Sequence, residues 1–156
     1  AMVIAKHQVI FQDLKLQFRS HSVEKKYTAL VEGSVREDSF IINAPLGREK
    51  KGYKQLVNPS NPRGELRDAV TEVNVVKRNP TTTLVELTPK TGRTHQLRAH
   101  MSYVGHPIVG DKAYGSTLES KRIMLHAESL TLQIEQSKKT FTSDTPEDFY
   151  TEHAKD

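Results

Sequence analysis

Two alternating runs on either side of Asn79-Pro80 constrain the fold most. In AVTEVNVV, Val70, Glu72 and Asn74 alternate with Thr71, Val73 and Val75. In TTLVELTP the alternation resumes through Leu84, Val85, Glu86 and Leu87. A period of two sends successive side chains to opposite faces of a strand, so the two runs predict antiparallel strands joined by a tight turn. Upstream, KKYTALVEGSV sets Tyr27, Ala29 and Val31 against Thr28, Leu30 and Glu32, and Gly33 closes the run. Leu30 breaks the polar side of that pattern, which predicts a strand buried in part on both faces.

Helical spacing appears in two places. From Ala5 to Ser20 the apolar positions Val9, Ile10, Leu14, Leu16 and Phe18 are interleaved with charged and amide side chains, as on a surface helix. His95, Leu97, Met101 and Val104 form a narrow stripe after Thr94, a residue type that caps helices, and Gly105-His106-Pro107 stops the helix. Between the strands, residues 43–67 carry Pro45, Gly47, Gly52, Pro59, Pro62 and Gly64 among Lys and Arg, which reads as turns and a long loop. A short strand over 130–134 and an acidic tail over 144–156 complete the chain. The whole is read as one domain over residues 1–156, of the α+β class.

Composition narrows the function. With 156 residues the chain is long enough to bury a single core, and the 35% hydrophobic content falls in periodic clusters, unlike a disordered sequence. Its net charge of +4 favours an acidic partner. The absence of cysteine excludes disulfides and thiolate metal sites. No apolar run is long enough for a membrane span or a secretory signal, so a cytoplasmic location without membrane contact is the default. Ala1 before Met2 reads as a residue left by an expression tag.

The densest chemistry lies in TPKTGRTHQLRAHMSYVGHPIVGDKAYGS, residues 88–116. From Lys90 to Gly110 it holds three basic side chains (Lys90, Arg93, Arg98) and three histidines (His95, His100, His106) with no carboxylate before Asp111. Such a surface suits a polyanion, above all nucleic acid. The five-residue separation of His95 and His100 sets them about 140° apart on a helix, against the four-residue spacing of helical zinc pairs, so no metal site is expected. The glycines do not reproduce a phosphate loop, and no serine sits in a nucleophile elbow.

The same residues resemble a known family. TGRTHQLRAHMSYVGHPIVGDKAYG is similar to the signature of the RluA-like pseudouridine synthases, a Gly-Arg-Thr/Ser-His-Gln-Leu/Ile-Arg helix followed by Gly-His-Pro-Ile and Gly-Asp-x-x-Tyr-Gly. EKKYTALVEG, APLGRE, AVTEV and MLHAESL resemble further family segments in the same order. The resemblance implies an α+β catalytic domain on a largely antiparallel sheet with flanking helices and a cleft across one face. It implies an isomerase that converts uridine to pseudouridine in ribosomal or transfer RNA without metal or organic cofactor. It assigns Tyr27 to the flipped base and Arg98 to pairing with a catalytic aspartate. Lys90, Arg93 and Lys112 are candidate RNA contacts, and Asp111 is expected to order the Gly110 turn.

One part of the pattern is missing. The family's aspartate belongs to a His-Arg-Leu-Asp motif upstream of a strand ending in Ala-Lys. Val3-Ile4-Ala5-Lys6 resembles the end of that strand, but nothing in the chain resembles the aspartate motif, and Asp13 in the first helix is no substitute. The expectation is the C-terminal majority of such a domain, inactive alone for want of its nucleophilic aspartate. The alternative is a non-catalytic remnant that binds RNA or self-associates through an exposed sheet edge.

Overall fold

The computed structural model describes residues 1–153. A helix, α1 (Gln8–Arg19), precedes five strands: β1 (Glu24–Glu32), β2 (Ser39–Asn43), β3 (Leu46–Arg48), β4 (Gln55–Val57) and β5 (Arg63–Arg67). Strands β6 (Val70–Arg78) and β7 (Thr82–Pro89) lead into α2 (Gln96–Tyr103); β8 (Leu125–Ile134), β9 (Ser137–Thr142) and α3 (Asp148–His153) follow. Six strands form one sheet in the order β2-β6-β7-β1-β8-β9, and β4-β3-β5 form a second, smaller one. All of these pairings are antiparallel. The architecture is α+β, as the sequence leads one to expect.

The alternating runs form the hairpin they predict, β6 against β7, with Val73 opposite Leu87 and Val75 opposite Val85. Strand β1 lies between β7 and β8, and Thr28, Ala29, Leu30 and Val31 are all buried, so both of its faces are covered. Val85, Leu87, Met101, Ile108, Met124 and Phe149 join Leu30 and Val31 in the core, which seats α2 and α3 against the sheet. Apolar burial of this kind stabilises by roughly 25 cal/mol per Å² removed from water.

Several expectations are corrected. Residues 43–67 are not one long loop: three short strands there build the second sheet, held to the body by Leu46, which packs in a cluster with Ala69, Ala99 and Tyr114. Thr94 does not cap α2. The N-cap residue is His95, in the left-handed region at φ 53°, and no side chain caps the helix there. The last long strand starts at Leu125 rather than Leu130 and pairs with β9, which the sequence reading did not contain. Val3–Lys6 belongs to no strand; the Ala1 ammonium instead donates to the Ala127 carbonyl. The acidic tail holds α3 from Asp148, and residues 154–156 lie outside the described residues. The large sheet's edges are β2 and β9, and β9 carries Lys138 and Lys139, charges of the type that blunt edge pairing.

Candidate active site

A cleft of about 420 Å³ opens between β1 and the loop that enters α2. Tyr27 and Arg98, singled out in the sequence 71 positions apart, both line it, together with Arg93, His95, Lys25 and Leu125. Tyr27 stands where the β1–β8 pairing shifts register between Lys26 and Tyr27. A bulge of this sort re-aims a side chain relative to a regular strand and is common beside active sites. Burial raises the Tyr27 phenol above its ordinary pKa, so the ring is neutral throughout the physiological range. Burial also lowers Lys25, whose ammonium donates to the Thr91 carbonyl at 3.4 Å.

The loop into α2 is pinned by Gln96. Its amide oxygen accepts from the Arg93 backbone N–H (3.0 Å) and the Thr91 hydroxyl (2.7 Å), while its nitrogen donates to the Val70 carbonyl (3.0 Å) and Thr71 Oγ1 (3.1 Å). One 3%-exposed side chain thus fastens the loop to the β6 hairpin, although it caps no N–H of the helix itself. His100, one turn on, is fully buried; its Nε2 donates to the Ala44 carbonyl at 3.0 Å, which leaves Nδ1 to accept from the Thr71 hydroxyl at 2.9 Å. Burial lowers the His100 pKa, so the ring is neutral and structural. His106 likewise donates Nδ1–H to the Glu32 carbonyl at 2.7 Å.

Arg98 has a partner inside the chain. Its Nε and one terminal nitrogen donate to the two carboxylate oxygens of Asp111, at 2.6 and 2.7 Å. Asp111 is completely buried, and the pairing, led by these hydrogen bonds, raises the guanidinium pKa further above its already high ordinary value. Asp111 is therefore not only a turn former: it clamps Arg98. Gly110 makes this placement possible, with φ +79° and a backbone so near the Arg122 carbonyl that a Cβ would lie 2.4 Å from its oxygen. On the other side the Arg98 guanidinium carbon sits 4.7 Å from the centroid of the Tyr114 ring. The Tyr114 hydroxyl accepts the Gln55 N–H at 3.0 Å and lies 3.1 Å from His95 Nδ1. Desolvation first, then the positive charge of Arg98, lowers the His95 pKa, so this ring too is neutral near pH 7.

The remaining Arg98 terminal nitrogen has no partner among the described residues. No carboxylate lines the cleft, and no group of three metal-ligating side chains exists among the described residues. Of the three sequence candidates for RNA contact, Arg93 lines the cleft. Lys90 and Lys112 lie outside it, paired with Glu72 at 2.6 Å and Glu119 at 2.8 Å. Lys25, Gln96 and Tyr114 are the members to which sequence reasoning gave no role, although each lies within a family-like segment: EKKYTALVEG, the Gly-Arg-Thr-His-Gln-Leu-Arg run and the Gly-Asp-x-x-Tyr-Gly run.

Comparison with known proteins decides the family. A family model described as RNA pseudouridylate synthase matches residues 1–103. The chain belongs to the RNA pseudouridylate synthase family. The dual-specificity RNA pseudouridine synthase RluA of Haemophilus influenzae is 37% identical over 157 aligned residues, covering 95% of this chain and 68% of that protein. The RNA pseudouridine synthase YlyB of Bacillus subtilis is 38% identical, covering 81% of this chain and 41% of its own length. The chain spans about half the length, or less, of several of the curated family members it matches. Among solved structures, human RNA pseudouridylate synthase domain containing 1 superposes with a TM-score of 0.81 at 28% identity, covering 90% of this chain and 62% of that one. Among the described residues no helix is long and apolar enough to cross a membrane.

Proposed function

We propose that this synthase-family chain takes a flipped uridine of ribosomal or transfer RNA into the Tyr27/Arg98 cleft, and that these 156 residues alone hold the base without isomerising it. The observation that carries the reading is the convergence, among the described residues, of a neutral half-buried aromatic ring and a clamped arginine with one free nitrogen on a cleft that no carboxylate lines. A nucleotide that leaves its helix loses stacking worth a few kcal/mol, and the Tyr27 ring restores part of it. The unpaired Arg98 nitrogen can donate to a uracil carbonyl or to an incoming carboxylate. Arg93 at the cleft mouth holds a flanking phosphate, with Lys90 and Lys112 as outer contacts.

Isomerisation breaks the bond from uracil N1 to C1′ of the ribose and makes one from C5 to C1′; N1 gains a proton and C5 gives one to solvent. The family chemistry uses an aspartate for this, and Asp111 is no candidate, with both oxygens engaged by Arg98 and no exposure. No metal or organic cofactor is called for, and the substrate is a cytoplasmic RNA. The test is tritium release from RNA labelled at uridine C5, with nucleoside digestion in parallel. The chain should release no tritium yet bind a uridine-bearing strand more tightly than a uridine-free twin. Tritium release above background would overturn the inactivity, and equal binding of the two strands would overturn the uridine pocket.

A further inference from the structure

A second cleft, of about 350 Å³, adjoins the first and shares Gly92 and Arg93 with it. Its other wall is the small sheet. Strand register places Arg48 opposite Arg63 and Leu46 opposite Arg67, and paired residues of neighbouring strands project to the same face. Leu46 and Arg48, two apart on β3, share that face as well. Arg48, Arg63 and Arg67 therefore all line the cleft, and Arg93 closes it from the α2 loop, anchored through its Nε to the Asp68 carbonyl at 3.0 Å. One carboxylate, Glu65, also lines it.

This arrangement is costly for the isolated protein. Like charges directly opposite on adjacent strands destabilise a sheet. Arg48, Arg63 and Arg67 have neither an ion pair nor a side-chain hydrogen bond among the described residues, and every residue of β5 is exposed. The basic side chains that line this cleft are all arginines, and Lys50 and Lys51 of the same segment line a different depression of the surface. Guanidinium forks match the oxygens of a phosphodiester in a way a lysine point charge does not.

We propose that this arginine cleft binds the phosphodiester backbone of the RNA strand flanking the uridine, as a groove continuous with the base pocket. The proposal rests on the uridine reading and adds a second site to it. The uridine pocket reads the base; the groove reads only the backbone, so it binds a strand of any sequence.

Fluorescence anisotropy with a short single-stranded RNA holding one central uridine, and with its uridine-free twin, tests this across a range of salt concentrations. The variant Arg48→Ala/Arg63→Ala/Arg67→Ala should lose roughly tenfold in affinity for both strands. It should also flatten the dependence of log K on log salt by about 2, at about 0.7 per phosphate contact on a single strand. Lys6→Ala/Lys15→Ala/Lys139→Ala removes the same charge from exposed positions outside both clefts and should leave the slope unchanged. The Arg→Lys version of the triple variant guards against misfolding: it should keep the slope and lose part of the affinity. If the arginine variant matches the lysine control while the wild type still prefers uridine, the groove is wrong and the pocket stands. If the preference is absent but the slope collapses in the arginine variant alone, the pocket is wrong and the groove stands. A polyglutamate peptide that competes as well as RNA would overturn the assignment to phosphate.

Discussion

The base pocket and the arginine cleft share a loop but are built on opposite principles. In the pocket, the polar groups that matter are held from behind: Asp111 and Tyr114 hold Arg98, Gln96 holds the loop, and burial keeps Tyr27 neutral. In the cleft, Arg48, Arg63 and Arg67 are themselves exposed on short strands and have no ion-pair partner among the described residues. A preorganised pocket gives orientation at the reacting base, where small displacements are expensive. An open cationic surface gives attraction over a distance, which salt screens. Tyr114 joins the two, since its ring lies against Arg98 while its hydroxyl accepts from Gln55 of the small sheet.

If this contrast is right, substitution should cost stability in the pocket and binding in the cleft. The largest expected effect is Asp111→Ala. Removing one partner of a buried pair leaves the other charge uncompensated, and with Arg98 only 18% exposed the loss should be about 3 kcal/mol by urea unfolding. Next, Gln96→Ala removes four hydrogen bonds of a buried side chain and should cost about 2 kcal/mol in the same measurement. By contrast Arg63→Ala should change stability by less than about 0.5 kcal/mol, or raise it slightly by relieving the repulsion with Arg48. A loss as large as that of Asp111→Ala would erase the distinction between the two regions.

Acid sharpens the comparison. The pKa values of His95 and His100 are both lowered in the fold from the ordinary 6.5, first of all by desolvation. The unfolded chain then binds more protons than the folded one in the window below 6.5, so stability rises with pH there. It should be complete above that value and fall as pH drops through the depressed folded values, and His100→Gln should flatten the profile. The smallest effect expected is that of Lys112→Ala, which should lower the salt slope of RNA binding by no more than one phosphate contact, about 0.7.

Much of this was legible in the sequence where periodicity or a long motif carried it. The β6–β7 hairpin follows from the two alternating runs around Asn79-Pro80, and the co-location of Tyr27 and Arg98 follows from the resemblance. The small sheet was not legible, because strands of three residues between prolines and glycines leave no period to read. β9, with sequence SKKTFT, is wholly exposed and carries little apolar signal. The role of Asp111 was missed because its burial is a tertiary fact: Gly110 brings the backbone to the Arg122 carbonyl and thereby turns the carboxylate onto Arg98. Thr94 looked like a cap by residue type, yet no side chain caps α2; Gln96, held by Val70 and Thr71, instead accepts the N–H of Arg93 in the loop before the helix.

The central claim is that Tyr27 receives the flipped base, and NMR of the tyrosine rings tests it most directly. The chain has 5 tyrosines, so each ring can be assigned by single Tyr→Phe variants. Titration with the uridine-bearing strand should move the Tyr27 ring protons upfield, and titration with its uridine-free twin should leave them in place. Equal movement with both strands, or movement confined to the exposed Tyr53, Tyr103 or Tyr150, would contradict the account.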